Sequence, residues 1–152
     1  MRPRTLTFIS VADNPHAGDR MKGYSTELEK ETLKNTDFRR VLYTGKNSQL
    51  VLMCLQPGEE IGAEVHRHID QFFRFEEGEG LVTIDSSKYR VKGGTGIIVP
   101  AGSKHNVVNI SKASLLKLYT IYSPPEHMDK TVRKTKADAI AKPEEFDGKT
   151  TE

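Results

Sequence analysis

Between residues 39 and 123 the chain is cut into nine short runs of strand-forming residues: RRVLYT, SQLVLMCLQ, GAEVHRH, QFFRFEE, GLVTID, KYRVK, GIIVP, HNVVNI and SLLKLYTIY. Turn-formers mark the breaks, at Gly45–Lys46–Asn47, Pro57–Gly58, Gly78–Glu79–Gly80, Ser86–Ser87, Gly93–Gly94 and Pro100–Ala101–Gly102. Glycine reaches backbone conformations closed to other residues, and proline removes an amide donor, so each cluster ends a strand. Parallel strands need a crossover of roughly a dozen residues, usually helical, and no amphipathic helical pattern lies between these runs. The spacing predicts an antiparallel all-β sandwich or barrel.

The chain has 152 residues, which predicts one domain. Its 23 basic and 21 acidic residues leave a formal charge of only +2, so no single-sign field points to nucleic acid. No stretch approaches the roughly 20 apolar residues of a membrane span. The opening MRPRTLTFISVADNPHAGDR lacks the apolar run of a signal peptide, and a cytoplasmic location is expected. Cys54 is the one cysteine, which excludes an internal disulfide, and its setting in LVLMCL predicts a buried small hydrophobe.

These patterns divide the chain into three segments. Residues 1–37 read as an N-terminal arm packing on the barrel, irregular over 1–24. The piece from Tyr24 to Phe38 fits a short helix or an edge strand, with Thr26 and Glu29 spaced as a capping box. Residues 38–123 form the barrel. Residues 124–152 read as a short polar tail, solvated, with one helical turn near KADAIA. SLLKLYTIY is apolar on both faces, so its outer face needs cover from the arm or from another subunit, and a homodimer is expected.

The chemistry lies in two stretches. In EVHRHIDQFF, His66 and His68 stand two apart, which on a strand aims both at one face; Gln71, Phe73 and Phe75 share a parity suited to the interior. In PAGSKHNVVN, a turn defined by Pro100 and Gly102 feeds a strand on which His105, Val107 and Asn109 alternate inward. A pair of histidines on a strand is common on wet surfaces, and a single histidine at a strand end is more often a hydrogen-bonding group than a ligand. Together they suggest a metal site, because ligands must be pre-positioned. Glu64, Tyr119 and Tyr122 are the candidates for a general base, each with a simpler reading as a rim or packing residue.

The second stretch resembles the second motif of the cupin family, with Gly94, Pro100, Gly102, His105 and Asn109 at its defining positions. PGEEIGAEVHRHIDQFFRFEEGEG resembles the first motif in Pro57–Gly58, His66, His68 and Gly78. The resemblance covers residues 38–123 and is to small single-domain conserved-barrel cupins, a group often labelled mannose-6-phosphate isomerase-like. It implies a double-stranded β-helix, or jelly roll, with one divalent transition metal per chain (Fe, Mn, Ni, Co or Zn). Carried over, the ligands are His66, His68, Gln71 and His105, with Gln71 where the family has glutamate. Only two residues separate His68 from Gln71, which leaves Asp70 as an alternative ligand. Neutral glutamine would leave the dication uncompensated and favour an anionic ligand.

Two functions remain open at this point. One is a metal-dependent enzyme, of isomerase or dioxygenase type, acting on a small polar or anionic molecule. The other is a non-enzymatic barrel that uses the metal or its cavity to hold a small ligand; a third reading is a stable barrel whose site has decayed, with Gln71 as the first lost ligand. No cluster of lysine or arginine placed to grip a phosphate is evident, which counts against a sugar-phosphate isomerase.

Overall fold

A computed structural model describes residues 20–152. The irregular arm expected over residues 1–24 lies mostly outside the described residues. The chain then enters a helix, α1 (Leu28–Lys34). Its N-cap is Glu27, with no side-chain hydrogen bond, so the Thr26–Glu29 capping box is corrected: the helix starts too late for Thr26 to reach its amides. Ten strands come after it: β1 (Arg39–Thr44), β2 (Gln49–Leu55), β3 (Glu64–Val65), β4 (Asp70–Glu77), β5 (Glu79–Ile84), β6 (Ser87–Lys92), β7 (Gly96–Val99), β8 (Lys104–Asn109), β9 (Leu116–Ser123) and β10 (Val132–Arg133). A second helix, α2 (Lys136–Ala141), comes late in the chain.

The strands form two antiparallel sheets, one of six in the order β10-β1-β2-β9-β4-β7 and one of four in the order β3-β8-β5-β6. The all-β double-stranded β-helix is thus the fold. No described helix is long and apolar enough to cross a membrane.

The register explains where a site can sit. Gln49 pairs with Tyr122, Tyr122 with Gln71, and Gln71 with Val99, so these residues form one row across the large sheet. The next inward row is Val51, Thr120 and Phe73, and the one after it Met53, Leu118 and Phe75. Three adjacent strands therefore run from apolar to polar toward the same end of the barrel. The apolar rows join Leu55, Leu116, Val82, Val91 and Val107 in the main core. The polar row stays buried at the other end, and a buried polar group must find partners there.

The segment after residue 123 is polar, as expected, but the reading of a solvated tail is corrected. Gln49 fastens its start: the side-chain oxygen accepts from the His127 amide at 2.9 Å, and the amide nitrogen donates to the His127 carbonyl at 2.7 Å and to Thr44 Oγ1 at 2.9 Å. β10 then pairs with β1, placing Arg133 opposite Arg39. The expected helical turn is α2, closed by a Thr135–Asp138 capping box. Beyond it, Glu144 turns back into the barrel end, and the Thr151 amide donates to the Thr44 carbonyl at 2.9 Å. A polar sequence does not exclude burial when each polar group meets a partner.

On the outer face of the large sheet, α1 gives part of the cover that β9 needs. Lys117 is buried there, and its ammonium donates to the Leu33 carbonyl at the end of α1. Cys54 is buried, as expected. Phe72, Ile98 and Tyr119 on the same face stay partly or fully exposed.

Candidate metal centre

The polar end of the barrel gathers side chains from four places. β3 pairs with β8 so that Glu64 lies opposite His105, which directs both to one face. His66 comes immediately after β3. The Gly102 amide donates to the His66 carbonyl at 2.8 Å, so the turn before β8 holds the backbone that carries His66. Gly102 has φ +88, which its lack of a side chain permits. Gln71 comes from β4 in the opposite sheet.

Glu64, His66 and His105 present donor atoms that all lie within 4.8 Å of one another. His66 Nε2 is 3.3 Å from Glu64 Oε2 but out of line for a hydrogen bond, and it is buried with no partner. His105 Nε2 is 3.9 Å from the same oxygen. The His105 ring is only 2% exposed, His66 11% and Glu64 32%, so the group is reached from the Glu64 side.

His105 is oriented by its other nitrogen. Nδ1 lies 3.1 Å from the Ser103 carbonyl, which can only accept, so Nδ1 carries the proton and Nε2 presents a lone pair. The atom facing that lone pair at 3.2 Å is the Gln71 side-chain oxygen. Gln71 is held with its nitrogen donating to Thr120 Oγ1 at 3.0 Å. Two acceptors in contact repel unless a proton or a cation lies between or beside them.

Burial works against the Glu64 carboxylate, but His66, Arg39 and His105 outweigh it, so Glu64 titrates below its ordinary value and is ionised at neutral pH. The Glu64 carboxylate in turn raises His66. A second carboxylate, Glu126, approaches His66 Nδ1 at 3.7 Å from the other side. Burial raises Glu126, and Glu64 adds to that rise.

Of the residues the sequence singled out, His66, Gln71 and His105 come together. His68 does not. β3 stops at Val65, Arg67 and His68 form a turn, and His68 is exposed. The shared strand face expected for His66 and His68 is corrected, because alternation holds only while the strand continues. Asp70 is also elsewhere: its Oδ1 accepts from the Ala101 amide at 2.8 Å and so braces the turn before His105. Tyr122 is buried, its ring edge-on to His66 at 5.8 Å, whereas Tyr119 lies on the outer face. The sequence reading treated Glu64 only as a possible base, yet its inward parity two residues before His66 was the available signal. Arg39, Glu126, His127 and Glu144 were not anticipated.

A cupin-domain family model matches residues 51–122. The uncharacterised protein YrkC of Bacillus subtilis is 44% identical over 126 residues, 79% of this chain and 67% of YrkC. The crystal structure of BH2720 from Bacillus halodurans superposes with a TM-score of 0.77 at 44% identity, over 83% of this chain and 98% of that one. The chain belongs to the cupin superfamily. A further cupin structure, the RmlC-like cupin from Shewanella frigidimarina, matches with a TM-score of 0.52 at 24% identity over 57% of this chain and 74% of its own, a likeness of fold.

This cupin carries a second polar group beside the first. His127 Nε2 lies 3.2 Å from the Tyr122 hydroxyl, and His127 Nδ1 lies 3.0 Å from Glu144 Oε1. Burial holds the His127 imidazole below its ordinary value of 6.5, although Glu144 pulls the other way. In the window between that lowered value and 6.5 the unfolded chain binds the proton that the folded chain refuses. Stability contributed by neutral His127 is therefore present above 6.5 and lost as pH falls through the folded value. The expected result is a melting temperature that declines between about pH 7 and 5 more steeply for the wild type than for His127→Gln. Parallel pH profiles for the two proteins would refute it.

Proposed function

We propose that this cupin holds one divalent transition-metal ion on Glu64, His66 and His105, with the Gln71 amide oxygen as a fourth donor, and that it is an enzyme acting on a small polar or anionic molecule. The observation that carries this reading is the His105 Nε2 lone pair, which faces the Gln71 oxygen at 3.2 Å, with His66 Nε2 and the Glu64 carboxylate gathered within 4.8 Å. A cation among them separates the two facing acceptors and pairs the carboxylate. Two imidazoles, a carboxylate and an amide oxygen suit Fe(II), Mn(II), Co(II), Ni(II) or Zn(II). Such an ion supplies Lewis acidity to a coordinated substrate or water, which serves isomerase and oxygenase chemistry alike.

The chain's own residues prepare the site. Ser103 fixes the His105 tautomer, Thr120 holds the Gln71 amide, and Glu126 stands beside His66 Nδ1, the kind of outer contacts that orient metal ligands. Ionised Glu64 supplies the negative charge that Gln71 lacks. The uncompensated dication expected from a three-histidine and amide set is thus replaced by a partly neutralised one. In this reading His68 is not a ligand.

The test is elemental analysis of the untagged protein, titrated with metal and dialysed, beside His105→Ala and His68→Ala. About one ion per chain is expected in the wild type and in His68→Ala, and none in His105→Ala. A wild type that takes up no metal, or a His68→Ala that loses it as fully as His105→Ala, would overturn the assignment. The first outcome would leave a barrel that binds its ligand without metal.

A further inference from the structure

The barrel end contains a buried cation that the metal reading does not use. Arg39 begins β1 with its side chain turned inward, and the residue is 9% exposed. Its guanidinium lies over the Phe38 ring, 5.6 Å from the centroid. One nitrogen, Nη1, reaches Glu144 Oε1 at 3.4 Å. Nε is buried with no partner.

Glu144 does not balance Arg39 alone. Its other oxygen is 3.0 Å from Arg133 Nη2, and its first is shared with His127. Two guanidinium charges thus divide one carboxylate, with the closer contact going to Arg133. Arg39 stands at one end of a run of contacts, through Glu144, His127 and Tyr122, that ends against the His66 ring. Guanidinium presents donors in a planar fork, and using Nη1 for Glu144 leaves the edge made by Nε and Nη2 for a second two-oxygen anion. A buried donor without an acceptor is costly, which makes this edge a place where a ligand gains more than it would at a wet surface.

We propose that Arg39 is the specificity residue for the ligand of this barrel and that it takes a carboxylate group, so that the molecule bound is a small carboxylate. This deepens the reading above by naming the ligand's anionic group, but it rests on Arg39 and not on the metal donors. A carboxylate matches the Nε–Nη2 edge with both of its oxygens in the guanidinium plane. The loosely held Nη1 contact lets Arg39 turn toward its ligand while Arg133 keeps Glu144 in place.

The experiment uses the full-length protein, metal-free and then zinc-loaded, titrated with succinate, with succinamide as the neutral control and inorganic phosphate as the other anion. The first readout is the Arg39 Nε–H resonance in a nitrogen-15 spectrum, identified as the one missing from Arg39→Lys. It is followed in the wild type, where its through-bond connection to the Arg39 backbone gives the same assignment should Arg39→Lys fail to fold. The second is calorimetry on wild type and Arg39→Lys. The expected result is a saturable shift of that resonance with succinate and not succinamide, already in the metal-free protein. Binding should weaken about ten- to a hundredfold in Arg39→Lys, the value of losing a charged, two-pronged contact. An unmoved resonance, equal binding by Arg39→Lys, or a shift with phosphate and none with succinate would each overturn the proposal. Succinate binding in a protein that takes up none of Fe(II), Mn(II), Co(II), Ni(II) or Zn(II) would sink the metal reading and leave this one standing; zinc uptake without a succinate response would do the reverse.

Discussion

Replacing Glu144 by alanine is expected to cost about 3–5 kcal/mol of stability, because removing one partner of a buried ion pair strands the other. The loss falls on three groups here: Arg39 and Arg133 both contact Glu144, and His127 Nδ1 lies 3.0 Å from it. The carboxylate is held in its charged form. Burial opposes that, but His127, Arg39 and Arg133 together pull its titration below the ordinary value. For a chain of this length the loss corresponds to a fall in melting temperature of about 6–20 °C. Glu144→Gln, which keeps the shape and some hydrogen bonds, should lie between. Thermal and urea unfolding of the three proteins checks the order. If Glu144→Ala unfolds within a degree or so of the wild type, the cluster is not holding the C-terminal segment in place.

A second large effect is expected at Gly78, the glycine that closes the first cupin motif. It joins β4 to β5 with φ +93, a conformation that side chains rarely adopt. A β-carbon there would also collide with the Leu115 carbonyl oxygen and sit 3.0 Å from Leu116 Cα. Both obstacles are backbone, which cannot rotate away. Gly78→Ala should therefore cost about 2–6 kcal/mol, the strain of the positive φ plus that of overpacking. Gly94 supplies the control. Its φ is +92 but nothing stands where its β-carbon would go, so Gly94→Ala should show only the strain, about 1–3 kcal/mol. Equal losses in urea unfolding would mean that the contact with residues 115–116 does not matter. Motif glycines with the same backbone angle thus differ in what they protect.

Much of the fold was legible because its signals are local. Gly58, Gly78, Gly94 and Gly102 all take positive φ at the turns read from the sequence. The parity of Gln71, Phe73 and Phe75, and of His105, Val107 and Asn109, survives as alternate burial. His68 escaped because a strand and a strand that has just ended look alike over two residues. Glu64 escaped as a ligand candidate because its meeting with His105 depends on the β3–β8 register, which joins residues forty-one apart in sequence. Arg39, His127 and Glu144 could not be read at all. A charged residue in a polar segment looks solvated until the fold shows what lies opposite it, and Glu144 meets Arg39 across 105 residues.

The clamp that Gln49 places on His127 has a consequence for how such a barrel can change. The donors Glu64, His66 and His105 come from β3, its end and β8, while Glu126, His127 and Glu144 arrive on a separate stretch that Gln49 and β10 fasten from outside the matched domain. The two halves share a chamber but few covalent neighbours. Substitutions at His127 and Glu144 act on Tyr122 and Arg39, whereas Glu126 in the same stretch stands against His66. On the reading proposed above, metal binding and ligand selectivity would rest on different parts of the chain: residues 51–122 hold Glu64, His66, Gln71 and His105, and Arg39 lies outside them.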